Sequence, residues 1–298
     1  WMWMCKGVVV LLHGVSMTSD MWAEYCEWLS SRGYSVLCYD MFGHGHSSVV
    51  SAPYTPHTLS NQLLSLLNAL SIQQPAHIVG FSLGCLVASL FTTSHPLLVR
   101  SLTLIAPAAG FNDAPLDFTP RNPSLNLLQK GLWAYKHVPP TPRAATYLGG
   151  VILGALSEHV HPLSSHLQSL KEQEMAAQEM PTPMQYLSSL RYLAGQWLHQ
   201  HRRAPRQGVL RSFVCEGDVL GDYSGVVNEL QASIRRGMRI LVLHGQDDPL
   251  VPESLRSRLD TRLKGARIAE VRSGKGHNVP LRARGEVMQV LGAFLDRA

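Results

Sequence analysis

Short apolar runs rich in β-branched residues alternate along this chain with stretches of helical periodicity. They include "GVVVLL" from Gly7 to Leu12, "YSVLCYD" from Tyr34 to Asp40, "HIVGF" from His77 to Phe81 and "SLTLIAP" from Ser101 to Pro107. Unbroken apolar strands are typical of parallel sheets that are buried on both faces, and the intervening segments have room for crossover helices. The sequence therefore predicts an α/β fold, with a mostly parallel central sheet flanked by helices.

The alternation stops after the last of these runs and resumes nearer the C-terminal end. There "RILVLHG" from Arg239 to Gly245 and "ARIAEVRSG" from Ala266 to Gly274 again have the composition of buried strands. Residues 112–207 contain helical patches, several methionines and no convincing strand. We therefore predict a helical cap at 112–207, inserted into a core formed by residues 1–111 and 208–298.

Composition places the chain among packed globular proteins. Of its 298 residues, 45% are hydrophobic and 16% are charged, which is enough apolar material for a large interior. The net charge of +5 is modest, and no nucleic-acid-binding motif accompanies it. Basic residues alternate with Leu255, Leu259 and Leu263, which predicts an amphipathic helix. Contact of its basic face with an anionic lipid surface or an acidic partner is the alternative to plain solvation.

No apolar run is long enough to cross a bilayer, so the sequence predicts no integral membrane segment. The five cysteines are odd in number, widely spaced and mostly set among apolar residues. This pattern is untypical of a disulfide framework or a metal site and favours a reducing compartment, so we expect a cytoplasmic protein. The chain begins at Trp1 without an initiator Met, and we expect that its N-terminus has been trimmed.

The sequence "GFSLG" sets Ser82 between Gly80 and Gly84, with a predicted strand before it and a predicted helix after it. A serine at such a tight turn has strained backbone geometry, and residues two positions away on either side would collide with neighbouring elements unless they were small. This context favours a nucleophile over an ordinary helix N-cap serine.

A nucleophilic serine needs a base, and the base needs a group that orients it. "LHGQDDPLVP" sets Asp247 and Asp248 just after one predicted strand, and "GKGHNVP" sets His277 just after the next. Because the carboxyl ends of parallel strands meet at one edge of a sheet, we expect these residues to lie near Ser82.

Five motifs in this order resemble those of the α/β-hydrolase superfamily, and the resemblance covers nearly the whole chain. It implies that Ser82 is the nucleophile and His277 the base. It also implies that Asp248, counted from Gly245 in a G-x-x-D pattern, is the acid, with Asp247 as the alternative. The motifs are "VLLHG", "YDMFGHGHS", "GFSLG", "HGQDDPLVP" and "GHNVP".

An oxyanion formed on an attacked carbonyl needs donors that are already in place, usually two backbone N–H groups. We expect one to be the N–H of Leu83, directly after the nucleophile. The resemblance places the other at Val15, after the His-Gly pair. It implies neither a metal ion nor an organic cofactor.

Several other residues are predicted to be structural. His13 and His244 each precede a glycine at a strand end, where an imidazole can tie loop backbones together. His44 and His46 are not accompanied by further ligands at usable spacing, which favours a turn supported by aspartate over a metal site. Cys85 is expected to be buried and inert.

A long, apolar, methionine-containing cap suits a lipophilic substrate, so the resemblance implies a carboxylic-ester hydrolase acting on lipid-like or small apolar esters. A carbon–carbon bond hydrolase of dienoate ring-cleavage products is the alternative within enzymes. An arginine inside the cap, such as Arg191, would favour it. A non-catalytic, hydrolase-like binding protein is the alternative outside enzymes.

Overall fold

The computed structural model of the protein describes residues 5–15, 17–48, 50, 53–107, 111, 223–246, 248, 251 and 253–297. All of them belong to one compact unit that comprises Trp1–Leu116 and Arg211–Ala298. The predicted cap lies outside the described residues, and its boundaries stay a prediction.

Within the described part of the chain, six strands form one parallel sheet in the order β2-β1-β3-β4-β5-β6. They are β1 (Val8–Leu12), β2 (Ser35–Cys38), β3 (Ala76–Phe81), β4 (Val99–Ile105), β5 (Arg239–Gln246) and β6 (Arg267–Lys275). Each lies within two residues of the run that predicted it. The predicted α/β class is confirmed.

Helices connect and flank the strands. They are α1 (Ala23–Ser31), α2 (Pro56–Ala69), α3 (Leu83–Ser94), α4 (Ser224–Arg235), α5 (Glu253–Arg262), α6 (Val279–Arg282) and α7 (Arg284–Leu295), with short 3₁₀ turns at Ser19–Trp22 and Pro96–Leu98. The start of α2 shows how sequence fixes an end: Thr55 accepts a hydrogen bond from the Thr58 N–H, and Pro56 occupies the first turn.

The core lies in the middle of the sheet. Every residue of β1 and of β3 is buried, as expected for strands covered on both faces. Helix α3 contacts β3 and β4 as well as α2 and α4. The loop that follows β3 therefore begins from a rigid, buried strand and runs directly into a packed helix.

The C-terminal helix differs from its prediction. From the sequence we expect one last helix from about Val279 to Arg297, whereas the structure has two, α6 and α7, separated at Ala283 (φ −120°). A continuous helix would join the Pro280 carbonyl to the Arg284 N–H. That carbonyl accepts the hydroxyl of Tyr25 instead, so a tertiary contact replaces a helical one.

Helix α5 has the predicted amphipathic character. Leu255 and Leu259 of the helix and Leu263 just after it are buried, while Arg258 in the helix and Lys264 after it are exposed. Contact of this basic face with anionic lipid stays a prediction, as does the cytoplasmic location. Among the residues described, none of the helices combines the length and the apolar character that a membrane span requires.

Candidate active site

Ser82 lies in the turn between β3 and α3. Its φ of +52° is a conformation that residues with a side chain rarely adopt. The Ser82 N–H donates a hydrogen bond to the Ile105 carbonyl of β4 at 3.0 Å, and its own carbonyl accepts the Cys85 N–H at 3.0 Å. These two bonds hold the strained turn in place between two strands and a helix.

The glycines on either side of Ser82 allow the surrounding backbone to approach closely. A Cβ atom on Gly80 would lie 2.3 Å from the Gly84 carbonyl oxygen, and one on Gly84 would lie 2.5 Å from the Leu12 carbonyl oxygen. Both distances are too short for any side chain. The G-x-S-x-G spacing is therefore a steric condition of this turn.

His277 connects Ser82 to Asp248. Its Nε2 lies 2.9 Å from the Ser82 Oγ, and its Nδ1 lies 2.8 Å from the Asp248 Oδ2. With the Nδ1 proton directed at the carboxylate, Nε2 is free to accept the hydroxyl proton of Ser82. All three side chains are largely buried. The structure thus brings three of the residues singled out from the sequence into one hydrogen-bonded network.

The Asp248 carboxylate has a second contact. Its Oδ1 accepts the Val251 N–H at 3.0 Å, while its Oδ2 contacts His277. Asp247, the alternative acid, lies outside the described residues. Aspartate in a loop often bonds an N–H shortly after it in the chain, so "DDPLVP" carries the signal that could have identified Val251.

The loop that carries His277 lies across the end of β5. The Gly276 N–H donates to the Gln246 carbonyl at 2.8 Å. A Cβ on Gly245 would be 2.3 Å from the Gly276 carbonyl oxygen. The ring of Phe81 lies 5.2 Å from the imidazole, measured between centroids. These contacts bring the histidine from the β6 side of the sheet towards Ser82.

The two expected oxyanion donors are Leu83, after β3, and Val15, after β1. Leu83 is the first residue of α3, so its N–H has no carbonyl to bond within the helix. Gly14 packs against Ser82, because a Cβ on Gly14 would lie 3.3 Å from the Ser82 Cβ. The Gly14 carbonyl accepts the Met17 N–H and contacts His13 Nδ1. The Gly14 carbonyl and the Val15 N–H belong to one trans peptide, whose two polar groups point in opposite directions. The bonds of the Gly14 carbonyl therefore direct the Val15 N–H away from Met17 and from His13 Nδ1.

His13 has bonding partners on both ring nitrogens. Nδ1 lies 2.8 Å from the Gly14 carbonyl oxygen, and Nε2 accepts the Met41 N–H at 2.9 Å. Burial lowers the pKa of His13 to about 4, so the ring is neutral near pH 7. This is the structural role expected from its place before a glycine.

The "GHGHS" turn is organised around Asp40. Its carboxylate accepts the N–H groups of Ser19 and His46, each at 2.7 Å. Burial alone would raise the pKa of Asp40, but these hydrogen bonds outweigh it and the pKa is lowered. Among the residues described, His, Cys, Asp and Glu side chains form no group of three or more that could hold a metal ion.

Two further residues lie near the strand ends. His244 is buried, with Nε2 3.4 Å from an Asp260 oxygen, and burial lowers its pKa. Cys85 is buried as expected. Its thiol lies within hydrogen-bonding distance of the carbonyl oxygens of Gly80 (3.1 Å) and Ile105 (3.2 Å), and burial raises its pKa.

The first four strands and the Ser82 turn lie in a part of the chain that matches a known family. A family model that describes the α/β-hydrolase fold matches residues 7–137. The chain has the α/β-hydrolase fold. The match includes β1 to β4 and the Ser82 turn, whereas Asp248 and His277 follow later in the sequence.

Curated proteins similar to this chain include two that are named for ester substrates. A pimeloyl-[acyl-carrier protein] methyl ester esterase from Methylococcus capsulatus is 36% identical over 107 residues, which are 36% of this chain and 39% of that protein. Monoacylglycerol lipase abhd6-B from Xenopus laevis is 33% identical over 107 residues, which are 35% of this chain and 31% of that protein. The matched part thus spans about a third of these relatives.

Solved structures show the same fold over most of the chain. An esterase from Exiguobacterium antarcticum has a TM-score of 0.65 at 18% identity, with 97% of this chain and 92% of that chain covered. An enol-lactonase from Burkholderia xenovorans also has a TM-score of 0.65, at 20% identity, with 97% of this chain and 91% of that chain covered. At these identities the likeness shows the fold alone.

Proposed function

We propose that this α/β-hydrolase is a serine hydrolase that cleaves carboxylic esters of lipid-like or small apolar compounds. The observation that carries the proposal is the continuous chain from Asp248 through His277 to Ser82, with contacts of 2.8 and 2.9 Å. A buried serine hydroxyl in contact with an imidazole, itself oriented by a carboxylate, is the arrangement that acyl transfer requires.

In the first half of the reaction the Ser82 Oγ attacks the ester carbonyl while His277 Nε2 takes its proton. The carbonyl π electrons move onto the oxygen, which the N–H groups of Leu83 and Val15 stabilise. Asp248 stabilises the imidazolium that has formed. The tetrahedral intermediate collapses, the bond to the alcohol oxygen breaks, and His277 gives its proton to the departing alcohol. An acyl group now esterifies Ser82.

In the second half a water molecule takes the place of the alcohol. His277 removes one proton from the water as its oxygen attacks the acyl carbonyl, and the same two N–H groups hold the second oxyanion. Collapse breaks the bond to Ser82 Oγ, which recovers its proton from His277. The products are a carboxylic acid and an alcohol, and the protein returns to its starting state.

The substrate class rests on the relatives and on the sequence of the predicted cap. Both curated relatives above are named for carboxylic esters, one a methyl ester and one a monoacylglycerol. The predicted cap contributes Met175, Met180 and Met184, flexible apolar side chains that suit an acyl chain. Arg191, which would favour a dienoate substrate, lies outside the described residues.

A fluorophosphonate probe tests the nucleophile. We expect the wild-type chain to be labelled and Ser82→Ala to remain unlabelled. Ser101→Ala is the matched control, because Ser101 Oγ also lies in hydrogen-bond contact with a buried histidine, His77 Nδ1, at 2.7 Å. That pair sits near the amino ends of β3 and β4, away from the Ser82 turn. Equal labelling of wild type and Ser82→Ala would refute the proposal.

p-Nitrophenyl esters of graded acyl length test the substrate class. We expect turnover that depends on chain length and is lost in Ser82→Ala. A probe-reactive chain that hydrolyses no ester but cleaves a dienoate would favour the carbon–carbon hydrolase. A chain that neither reacts with the probe nor hydrolyses any substrate would favour the binding protein.

A further inference from the structure

Helix α1 is joined to the segment that carries His277 by a buried tyrosine. The hydroxyl of Tyr25 donates a hydrogen bond to the Pro280 carbonyl at 2.8 Å, across 255 residues of sequence. Tyr25 has no solvent exposure, and every residue from Gly276 to Pro280 is buried. The bond therefore lies in the interior and ends three residues beyond His277.

The Pro280 carbonyl depends on this donor. Helix α6 spans only Val279–Arg282, and the chain leaves helical geometry at Ala283. Carbonyl groups in the last turn of a helix have no N–H within the helix to bond. A buried carbonyl without a partner costs free energy, so the Tyr25 hydroxyl satisfies a group that the helix cannot.

Other contacts between α1 and the C-terminal region lie farther from His277. Glu24 forms an ion pair with Arg284, and Trp28 packs against Gly292, where a Cβ would lie 3.1 Å from its ring. Both partners belong to α7, beyond the break at Ala283. Tyr25 instead reaches α6, which begins two residues after the imidazole.

We infer that Tyr25 is a positioning residue for His277, an inference that rests on the proposed function. The histidine segment is fixed before the imidazole by the bond from Gly276 to Gln246, and after it by the bond from Tyr25 to Pro280. Between these two points the ring must keep contact with Ser82 and with Asp248. Without the bond from Tyr25 to Pro280, the segment can shift while Ser82, His277 and Asp248 all remain present.

Burial raises the pKa of Tyr25, so its hydroxyl stays protonated and able to donate across the pH range of an esterase assay. The bond from Tyr25 to Pro280 is therefore present throughout this pH range, and a moderate change of pH does not break it.

Tyr25→Phe removes the hydroxyl and keeps the ring. We expect kcat for a p-nitrophenyl ester to fall about tenfold while KM stays within about twofold, because displacement of a catalytic group by a fraction of an ångström weakens the transition state more than substrate binding. A merely structural role would lower the melting temperature and leave kcat of the folded protein unchanged. Wild type and Tyr25→Phe are assayed well below their melting temperatures, with circular dichroism confirming the fold.

Hydrogen–deuterium exchange of the full chain supplies a readout that is independent of catalysis. The N–H groups of Leu281 and Arg282 both donate to the Asn278 carbonyl at 3.0 Å. In Tyr25→Phe we expect these amides to exchange about tenfold faster, because α6 opens more often once its carbonyl loses the donor. Amides of α2, such as Leu59, should exchange at the wild-type rate.

Glu24→Gln is the matched control, because it removes an ion pair of the neighbouring α1 residue with α7 and leaves Pro280 bonded. We expect kcat and the exchange of residues 281–282 to match the wild type. Faster exchange with unchanged kcat in Tyr25→Phe, lower kcat with unchanged exchange, or equal effects of Glu24→Gln would each overturn the inference. A wild-type chain that the fluorophosphonate probe leaves unlabelled would overturn the proposed function, and this inference with it.

Discussion

Gly80→Ala is the substitution whose effect follows most directly from the geometry of the Ser82 turn. The new Cβ would lie 2.3 Å from the Gly84 oxygen, 2.5 Å from the Gly84 carbonyl carbon and 2.7 Å from the Cys85 nitrogen. All three are backbone atoms of α3 and cannot rotate away. Since ordinary contact begins at 3.4 Å, the strand and the helix must separate by about 1.1 Å, the difference between 3.4 and 2.3 Å.

Separation of packed backbones by this amount falls at the upper end of the cost of overpacking a core, about 3 kcal/mol. For a chain of 298 residues that unfolds cooperatively, this corresponds to a melting temperature lower by about 5 °C. The same movement carries Ser82 away from His277, so we expect labelling by a fluorophosphonate to slow at least tenfold.

Gly285→Ala is the matched control for this substitution. Gly285 lies in α7, and a Cβ there meets no atom within 4 Å. Because alanine favours a helix over glycine, we expect the free energy of unfolding to stay constant or to rise by up to about 1 kcal/mol. Urea titration and thermal melting measure both variants. A Gly80→Ala protein within about 0.5 kcal/mol of wild type, with full labelling, would refute the steric argument.

Two further predictions concern the carboxylate and the buried histidine beside the site. Asp248→Asn keeps the shape of the side chain but cannot stabilise the imidazolium of His277. We expect kcat for an ester to fall about 10³-fold or more, with KM little changed. A loss of kcat under tenfold in the ester assay would contradict the role assigned to Asp248. Because burial lowers the pKa of His13 from 6.5 to about 4, the unfolded state takes up a proton first as the pH falls. The contribution of His13 to the stability of the folded state should therefore decrease between pH 6.5 and about 4, by roughly 3 kcal/mol in total, and change no further below that range. Urea titrations across this range check the slope, which should be shallower in His13→Gln, and an equal slope in both proteins would show that His13 does not cause it.

The sequence predicts the Ser82 turn well because its causes are local. The strand before it, the helix after it and the two glycines all lie within a few residues of Ser82. The meeting of Asp248 with His277 is predictable for a different reason, since both follow parallel strands and so share one edge of the sheet.

The bond from Tyr25 to Pro280 has no comparable signal. Nothing near Tyr25 in the sequence indicates an acceptor 255 residues later, and a buried tyrosine is equally typical of plain packing. The break at Ala283 escapes prediction for the same reason. Alanine favours helix, and the sequence does not show that the Pro280 carbonyl bonds a side chain from α1.

The order of the strands explains why glycines are needed on the histidine side of the site as well. Ser82 follows β3 and His277 follows β6, and with β4 and β5 between them the two strand ends are three spacings apart, roughly 14 Å. Two residues beyond β6 cannot cover that distance by continuing straight on, so the loop must turn back over β5. It does so where Gly276 bonds Gln246 and where Gly245 leaves room for the Gly276 carbonyl. A side chain at Gly245 would lift the loop from the sheet. Gly245 therefore allows the close backbone approach that positions His277, just as Gly80 and Gly84 allow the one that positions Ser82.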